Sequence, residues 1–234
     1  MVGKTHRMGG IAFGVLASTA FVAMGGAMPL IGACTLTSGS AIGSISPDID
    51  KKGSMIGKKF PRIASIVERT LTHRGALHSL LGLFVFTLVA VILSNLVVNY
   101  SEDLRVLVFA LSSAVAVMSV NYAVKGLLHL GHRRLTKKAK YQMDVAIVVL
   151  CLVLSIVKVE ILCSFFVYYV TGLAIGYFSH LVLDSFNPTG IKWLYPMKKS
   201  ISLASIKTGS NAEGYVFKLC LVITIISTVA YFII

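Results

Sequence analysis

Residues 9–46 carry no charge at all, and Pro29 stands near the middle of the stretch. A helix that crosses a bilayer needs about 20 mostly apolar residues. This one segment is therefore long enough for two helices packed as a hairpin, with 29–46 either crossing or re-entering. Residues 76–98, 104–124, 141–157, 161–183 and 214–234 are further apolar stretches. The expectation is an all-α, polytopic membrane helical bundle of about seven transmembrane helices, or six if 29–46 is re-entrant. Composition agrees. Charged residues are 13% of the chain, about half the share of a soluble domain, and a chain that is 56% hydrophobic is not disordered. Four scattered cysteines without a C-x-x-C pair exclude a disulfide scaffold and read as small apolar residues. With no repeat and no low-complexity segment, residues 1–234 read as one membrane-embedded domain.

The loops orient the chain. Lysine and arginine concentrate on the cytoplasmic side of a membrane. All of the 22 basic residues except Arg105 and Lys158 fall at the N-terminus, in 51–74, in 125–140 or in 192–218. Seven spans put these four groups on one side, so the basic loops are expected to face the cytoplasm. The net charge of +13 is then an orientation signal that also favours anionic headgroups. The basic runs lack interleaved aromatics, so no nucleic-acid partner is expected. Trp193 and Tyr195, beside Pro196, read as an interfacial aromatic anchor. Three Gly-x-x-x-Gly spacings, 10/14, 39/43 and 172/176, allow close helix packing in lipid and would draw the ends of three helices together.

Ionisable groups are costly in a bilayer and mark function. His6, Asp48, Asp50, His73, His78, His180 and Asp184 all fall at the cytoplasmic ends of the expected spans, a convergence that the lysine and arginine count did not require. His180 and Asp184 are four apart and point the same way on a helix. Asp48 and Asp50 follow Pro47, and an extended Asp-x-Asp would place both carboxylates on one side. His73 and His78 converge only if His73 precedes the helix. Imidazoles with carboxylates suit a divalent metal, zinc first, with manganese or iron as alternatives, as one ion or as two bridged by Asp48 or Asp50. Such an ion would activate a water and polarise a phosphoryl or carbonyl oxygen. His129 and His132 are weaker candidates, and Asn187, Pro188 and Gly190 form a turn after the sixth span.

At 46–58 (SPDIDKKGSMIGK), 73–80 (HRGALHSL) and 176–196 (GYFSHLVLDSFNPTGIKWLYP) the chain resembles the YdjM-type family of membrane-bound, predicted metal-dependent hydrolases. One bacterial member of that family of inner-membrane proteins is associated with the LexA regulon. His6 and 209–213 (GSNAE) extend the resemblance. It implies a helical membrane hydrolase with the Asp and His residues above as motif positions. It adds Arg74 as a phosphate holder, Ser79 as an orienting group, and Glu213 as a supporting group or general base. Members often have His after the second Asp, where this chain has Lys51, and 101–160 is longer than in short members, as an added helical hairpin.

The functional expectation is a metal-dependent hydrolase of the bacterial cytoplasmic membrane. Its site would face the cytoplasm and act on a lipid or lipid-phosphoester substrate, with membrane lipids as its surroundings. The oligomeric state is not set by the sequence. The alternative is a non-enzymatic transporter, or a metal-binding or structural stress-response membrane protein. Transport places ionisable groups near the midplane, and here they gather at one end.

Overall fold

A computed structural model describes residues 1–71, 74–98 and 159–234, together with residues 142, 145, 146 and 149. The chain is helical there: α1 (Gly3–Ala23), α2 (Leu30–Gly43), α3 (Pro61–Thr70), α4 (Leu80–Val98), α5 (Val159–Asp184) and α6 (Asn211–Ile233). Two 3₁₀ turns, Pro47–Asp50 and Ala76–His78, follow α2 and precede α4. Among the described residues no strand forms, and the only extended pairing is an isolated bridge between Ile191 and Ile201. His73, His129, His132 and nearly all of the 101–160 hairpin lie outside the described residues.

The apolar run 9–46 folds as the expected pair of helices. Gly25, at φ +86°, lies just beyond the end of α1, in a conformation that suits glycine. Pro29 is the N-cap of α2 in extended geometry, with no N–H to leave unpaired. At 14 residues, α2 is only about 21 Å long, shorter than the roughly 30 Å hydrocarbon layer. Two helices, Phe166–Asp184 and Asn211–Ile233, are long and apolar enough to cross a membrane, and Leu80–Asn95 is a shorter apolar helix. About seven crossings are therefore not reached among the described residues. α1 also starts earlier than expected, so His6 lies within its first turn instead of before the first span.

Helix α2 packs between α1 and α5, with α6 against α1 and α4 against α5. The glycine pairs make this possible. A Cβ on Gly39 would land on the Tyr169 carbonyl, and one on Gly43 on that of Leu173. In return, Cβ atoms on Gly172 and Gly176 would land on the carbonyls of Leu36 and Ser40. Gly10 and Gly14 meet α2 in the same way, at Ser40 and Thr37. All three Gly-x-x-x-Gly spacings are thus helix crossings, as expected. Ser40, fully buried, donates from Oγ to the Gly10 carbonyl at 2.7 Å. Thr19 Oγ1 likewise donates to the Ser227 carbonyl, tying α1 to α6 at 2.8 Å. Interhelical bonds of this kind contribute about 0.6 kcal/mol in membrane proteins. Ser40→Ala should therefore lower stability by about 0.5–1 kcal/mol without changing the fold, measured by graded denaturation in detergent.

Cys220 is buried in the α1–α6 contact, Cys34 is exposed, and both are free. Trp193 is half-buried. Its indole Nε1–H donates to Ser185 Oγ at 2.8 Å, and the ring packs with Tyr177, Leu181 and Ile191. The indole finds a buried hydroxyl partner here, so it ties the segment after α5 to the bundle.

Candidate metal centre

Five of the seven expected metal-ligating residues meet at one end of the bundle. His6 comes from α1, Asp48 from the turn after α2, His78 from the turn before α4, and His180 and Asp184 from the last turns of α5. Two sets of donor atoms converge within 4.8 Å of one another: His6, His180 and Asp184, and Asp48, His78 and His180. His180 belongs to both. The i, i+4 spacing works as expected, with His180 Nε2 3.7 Å from Asp184 Oδ2. The His6 and His180 rings stack with centroids 3.9 Å apart, and His78 meets His180 edge-on at 5.0 Å.

His180 is the best-defined member. Its Nδ1 lies 2.7 Å from the Ser44 carbonyl. A carbonyl only accepts, so Nδ1 carries the proton and the Nε2 lone pair is free. That Nε2 is buried and has no hydrogen-bond partner, and the same is true of His6 Nδ1. Buried polar atoms are otherwise nearly always satisfied. A backbone carbonyl behind one ring nitrogen and an open lone pair on the other is the usual posture of a metal-ligating histidine. The donor set therefore fits a divalent cation.

Asp184 is held as firmly. Its Oδ1 accepts from Asn187 Nδ2 at 2.8 Å and lies 3.1 Å from His6 Nε2. The Met1 amino group is 2.9 Å from the same oxygen. Its Oδ2 faces His78 and His180 Nε2, each at 3.7 Å. The sequence reading treated Asn187 only as a turn residue. Its position three residues beyond Asp184, where a helix end brings the two side chains together, was the available signal.

The Asp-x-Asp segment differs from expectation. It is a 3₁₀ turn with Pro47 at its start, not an extended pair, because the proline ring suits a first helical position. The two carboxylates consequently take different sides of one imidazole. Asp48 Oδ1 lies 3.7 Å from His78 Nε2, and Asp50 Oδ2 lies 3.4 Å from His78 Nδ1. Asp48 thus joins the convergent donors, while Asp50 stands behind His78 and accepts from the Arg74 backbone N–H at 3.3 Å. A carboxylate behind a ligating imidazole fixes its orientation and raises its basicity. Burial lowers the basicity of His78, but Asp48 and Asp50 outweigh it and hold its pKa up at about 9. Burial also opposes ionisation of Asp48. His78, with the neighbouring His180 and His6, overcomes that and pulls Asp48 down to about 2. To serve as a ligand, His78 would have to give up that proton to a bound cation.

The remaining expected residues border the centre. Arg74 holds a left-handed backbone at φ 58°, an uncommon conformation for a side chain of its size. Its Nη1 donates to Thr189 Oγ1, and its Nε is 3.7 Å from Asp184 Oδ2. Ser79 precedes α4, donating to the Ala76 carbonyl at 2.6 Å and accepting from Gly82 N–H at 3.1 Å. Its hydroxyl is committed to capping that helix. Glu213 accepts from the Val2 and Gly209 N–H groups, both at 2.6 Å. It clamps the N-terminal residues to the start of α6, close to the reciprocal bonding of a capping box. A cleft of about 290 Å³ reaches Asp48 and Asp184 from outside, with Lys51, Ser54, Arg74 and Thr208 among its lining.

The described residues thus combine helices, two of them long and apolar enough to cross a membrane, with a buried His/Asp cluster at the helix ends that could hold a metal ion, the marks of a helical membrane protein with a candidate metal site. The chain belongs to the YdjM inner membrane protein family, whose model matches residues 1–233. It is also similar to the uncharacterized protein YvsG of Bacillus subtilis, with 38% identity over 85 residues. That match covers 36% of this chain and 48% of YvsG, so the aligned part spans about half the length of that curated relative. No solved structure matches the chain.

Proposed function

We propose that this protein is a metal-dependent hydrolase of the bacterial cytoplasmic membrane, acting at the cytoplasmic face on a lipid phosphoester. The observation that carries the proposal is the buried, unpartnered Nε2 of His180 among convergent carboxylates and imidazoles. His6, Asp48, His78, His180 and Asp184 would hold the cation. Zinc suits the nitrogen and oxygen donors best, with manganese or iron as alternatives. His180 offers both donor sets the same single lone pair, so it serves one ion, and a second ion would need a bridging carboxylate. When bound, the ion supplies a Lewis acid and lowers the pKa of water.

The chain's own residues do the rest. Asp50 and the Ser44 carbonyl orient His78 and His180. Lys51 and Arg74 line the cleft beside Asp48 and Asp184 and would draw an anionic headgroup toward the cluster. A site at helix ends suits an amphipathic substrate, since the headgroup reaches the donors while the acyl chains stay in lipid.

The test is cleavage of short-chain lipid phosphoesters by the purified, metal-loaded protein, read as headgroup release from a phosphodiester lipid and as phosphate release from a phosphatidic acid, with chelated protein and His180→Ala as controls. Turnover lost in both controls is expected. A folded, metal-loaded protein without turnover on any lipid phosphoester would refute the proposal.

The orientation is tested separately. Lys199 is exposed in the 192–207 segment. A Lys199→Cys variant should react with a membrane-impermeant maleimide in inverted vesicles and stay unlabelled in intact spheroplasts, each read against the parent protein.

A further inference from the structure

Two segments at the metal end of the bundle expose apolar and basic side chains together. The first is α3. Ala64 turns inward and is fully buried, whereas Phe60, Ile63 and Ile66 are exposed, Ile66 to 64%. Successive helical residues lie 100° apart, which puts Ile63, Ile66 and Val67 on one side of α3 and Arg62, Ser65 and Arg69 on the other. Lys58 and Lys59 precede the helix, and Glu68, its one acid, faces Lys52 at 3.8 Å. The second segment follows α5. Leu194, Met197 and Leu203 are exposed, Leu203 to 62%, with Lys192, Lys198 and Lys199 among them.

The fold fixes both segments at one level. α3 packs against the Pro47–Asp50 turn and leads on to the Ala76–His78 turn, and these turns carry Asp48 and His78. The second segment is pinned by the Ile191–Ile201 bridge, by Leu80 N–H on the Trp193 carbonyl at 2.9 Å and by Leu203 N–H on the Ser185 carbonyl at 2.7 Å. Both therefore sit where α2 and α5 end and α4 begins. For a chain whose helices cross a bilayer, that level is the boundary between acyl chains and headgroups. A short helix with a strong apolar face and a basic opposite face lies in that boundary, and the lysines and arginines match an anionic leaflet.

We infer that α3 and the 194–203 segment form a collar seated in an anionic lipid leaflet, with Ile63 and Ile66 turned into the acyl region, so that the metal centre opens at headgroup depth. This goes beyond the proposed chemistry and holds whether or not the centre is catalytic. The occupant is lipid, because the exposed apolar side chains continue the level of the membrane helices and the charges flanking them are almost all positive.

The full chain is reconstituted in vesicles of phosphatidylglycerol and brominated phosphatidylcholine, with tryptophan placed at Ile66→Trp or, two residues on and across the helix, at Glu68→Trp. Trp193 is the single native tryptophan, and its signal is subtracted using the parent protein. Ile66→Trp should be quenched about twofold or more above Glu68→Trp, and more by bromines near the glycerol end than near the chain terminus. Glu68→Trp should remain open to aqueous acrylamide. Equal acrylamide access at the two positions overturns the inference. So does an Ile66→Trp shielded from both quenchers, which would mean that protein covers the face. Ile63→Trp gives the same reading should Ile66→Trp fail to fold.

Discussion

Purified protein loaded with zinc should lose its stoichiometric metal when His180 is replaced by alanine, while the helices remain. His180 is shared by both donor sets, so no rearrangement of the other side chains restores either one. The replacement also removes the Nδ1 bond to the Ser44 carbonyl, so retained helicity and a monodisperse detergent complex are part of the measurement. The rest of the site should grade around this result. Asp50→Asn keeps all convergent donors but weakens the support behind His78, and a 10–100-fold loss of metal affinity, in order of magnitude, is expected. Ser79→Ala should cost about 1 kcal/mol through the cap of α4 and leave metal binding in place. Glu213→Gln should leave the metal count unchanged for the same reason, since its carboxylate meets backbone N–H groups and not the cluster. Elemental analysis of the four folded variants checks the series. Full metal content in His180→Ala would remove the centre described above.

The second large effect is expected at Gly176, one helical turn before His180 on α5. A Cβ there would land on the Ser40 carbonyl, which is backbone and cannot swing aside. Gly176→Ala must therefore push α2 away from α5. Overpacking of this kind costs roughly 1–3 kcal/mol, and it acts here on the most extensive helix contact described. Because the turn after α2 carries Asp48 and α5 carries His180 and Asp184, separating the two helices also separates the donors. Gly176→Ala should be both less stable and weaker in metal binding. Gly53→Ala and Gly214→Ala, where an added Cβ meets nothing, should change neither property. Thermal unfolding and metal content measured together distinguish this from a local effect, and a Gly176→Ala protein as stable as its parent would contradict the packing.

Much of this is written in the residues themselves. The uncharged run 9–46, the break at Pro29 and the three glycine pairs follow from what lipid demands: long apolar helices, backbone bonds closed within them, and small residues where they touch. The i, i+4 spacing of His180 and Asp184 is likewise local, since helix geometry alone puts them on one face. The grouping of His6, Asp48, His78, His180 and Asp184 was readable because these histidines and aspartates all fell at one set of expected helix ends.

Other assignments depended on where a side chain meets residues distant in sequence. Asp48 and Asp50 are indistinguishable as letters. Only the 3₁₀ turn after Pro47, docked against the His78 turn, sends one toward the donors and the other behind the ring. Ser79 and Glu213 bind backbone groups near helix starts, and the Trp193 indole donates to Ser185, pairings that no local spacing announced. Sequence determined this protein's solvent, its close-packed seams and the residue types of its site, since these rest on composition and helical periodicity. The tertiary structure alone decided which atom of each side chain faces the centre, because that choice depends on contacts among α1, α2, α5 and the two turns, which no local spacing encodes.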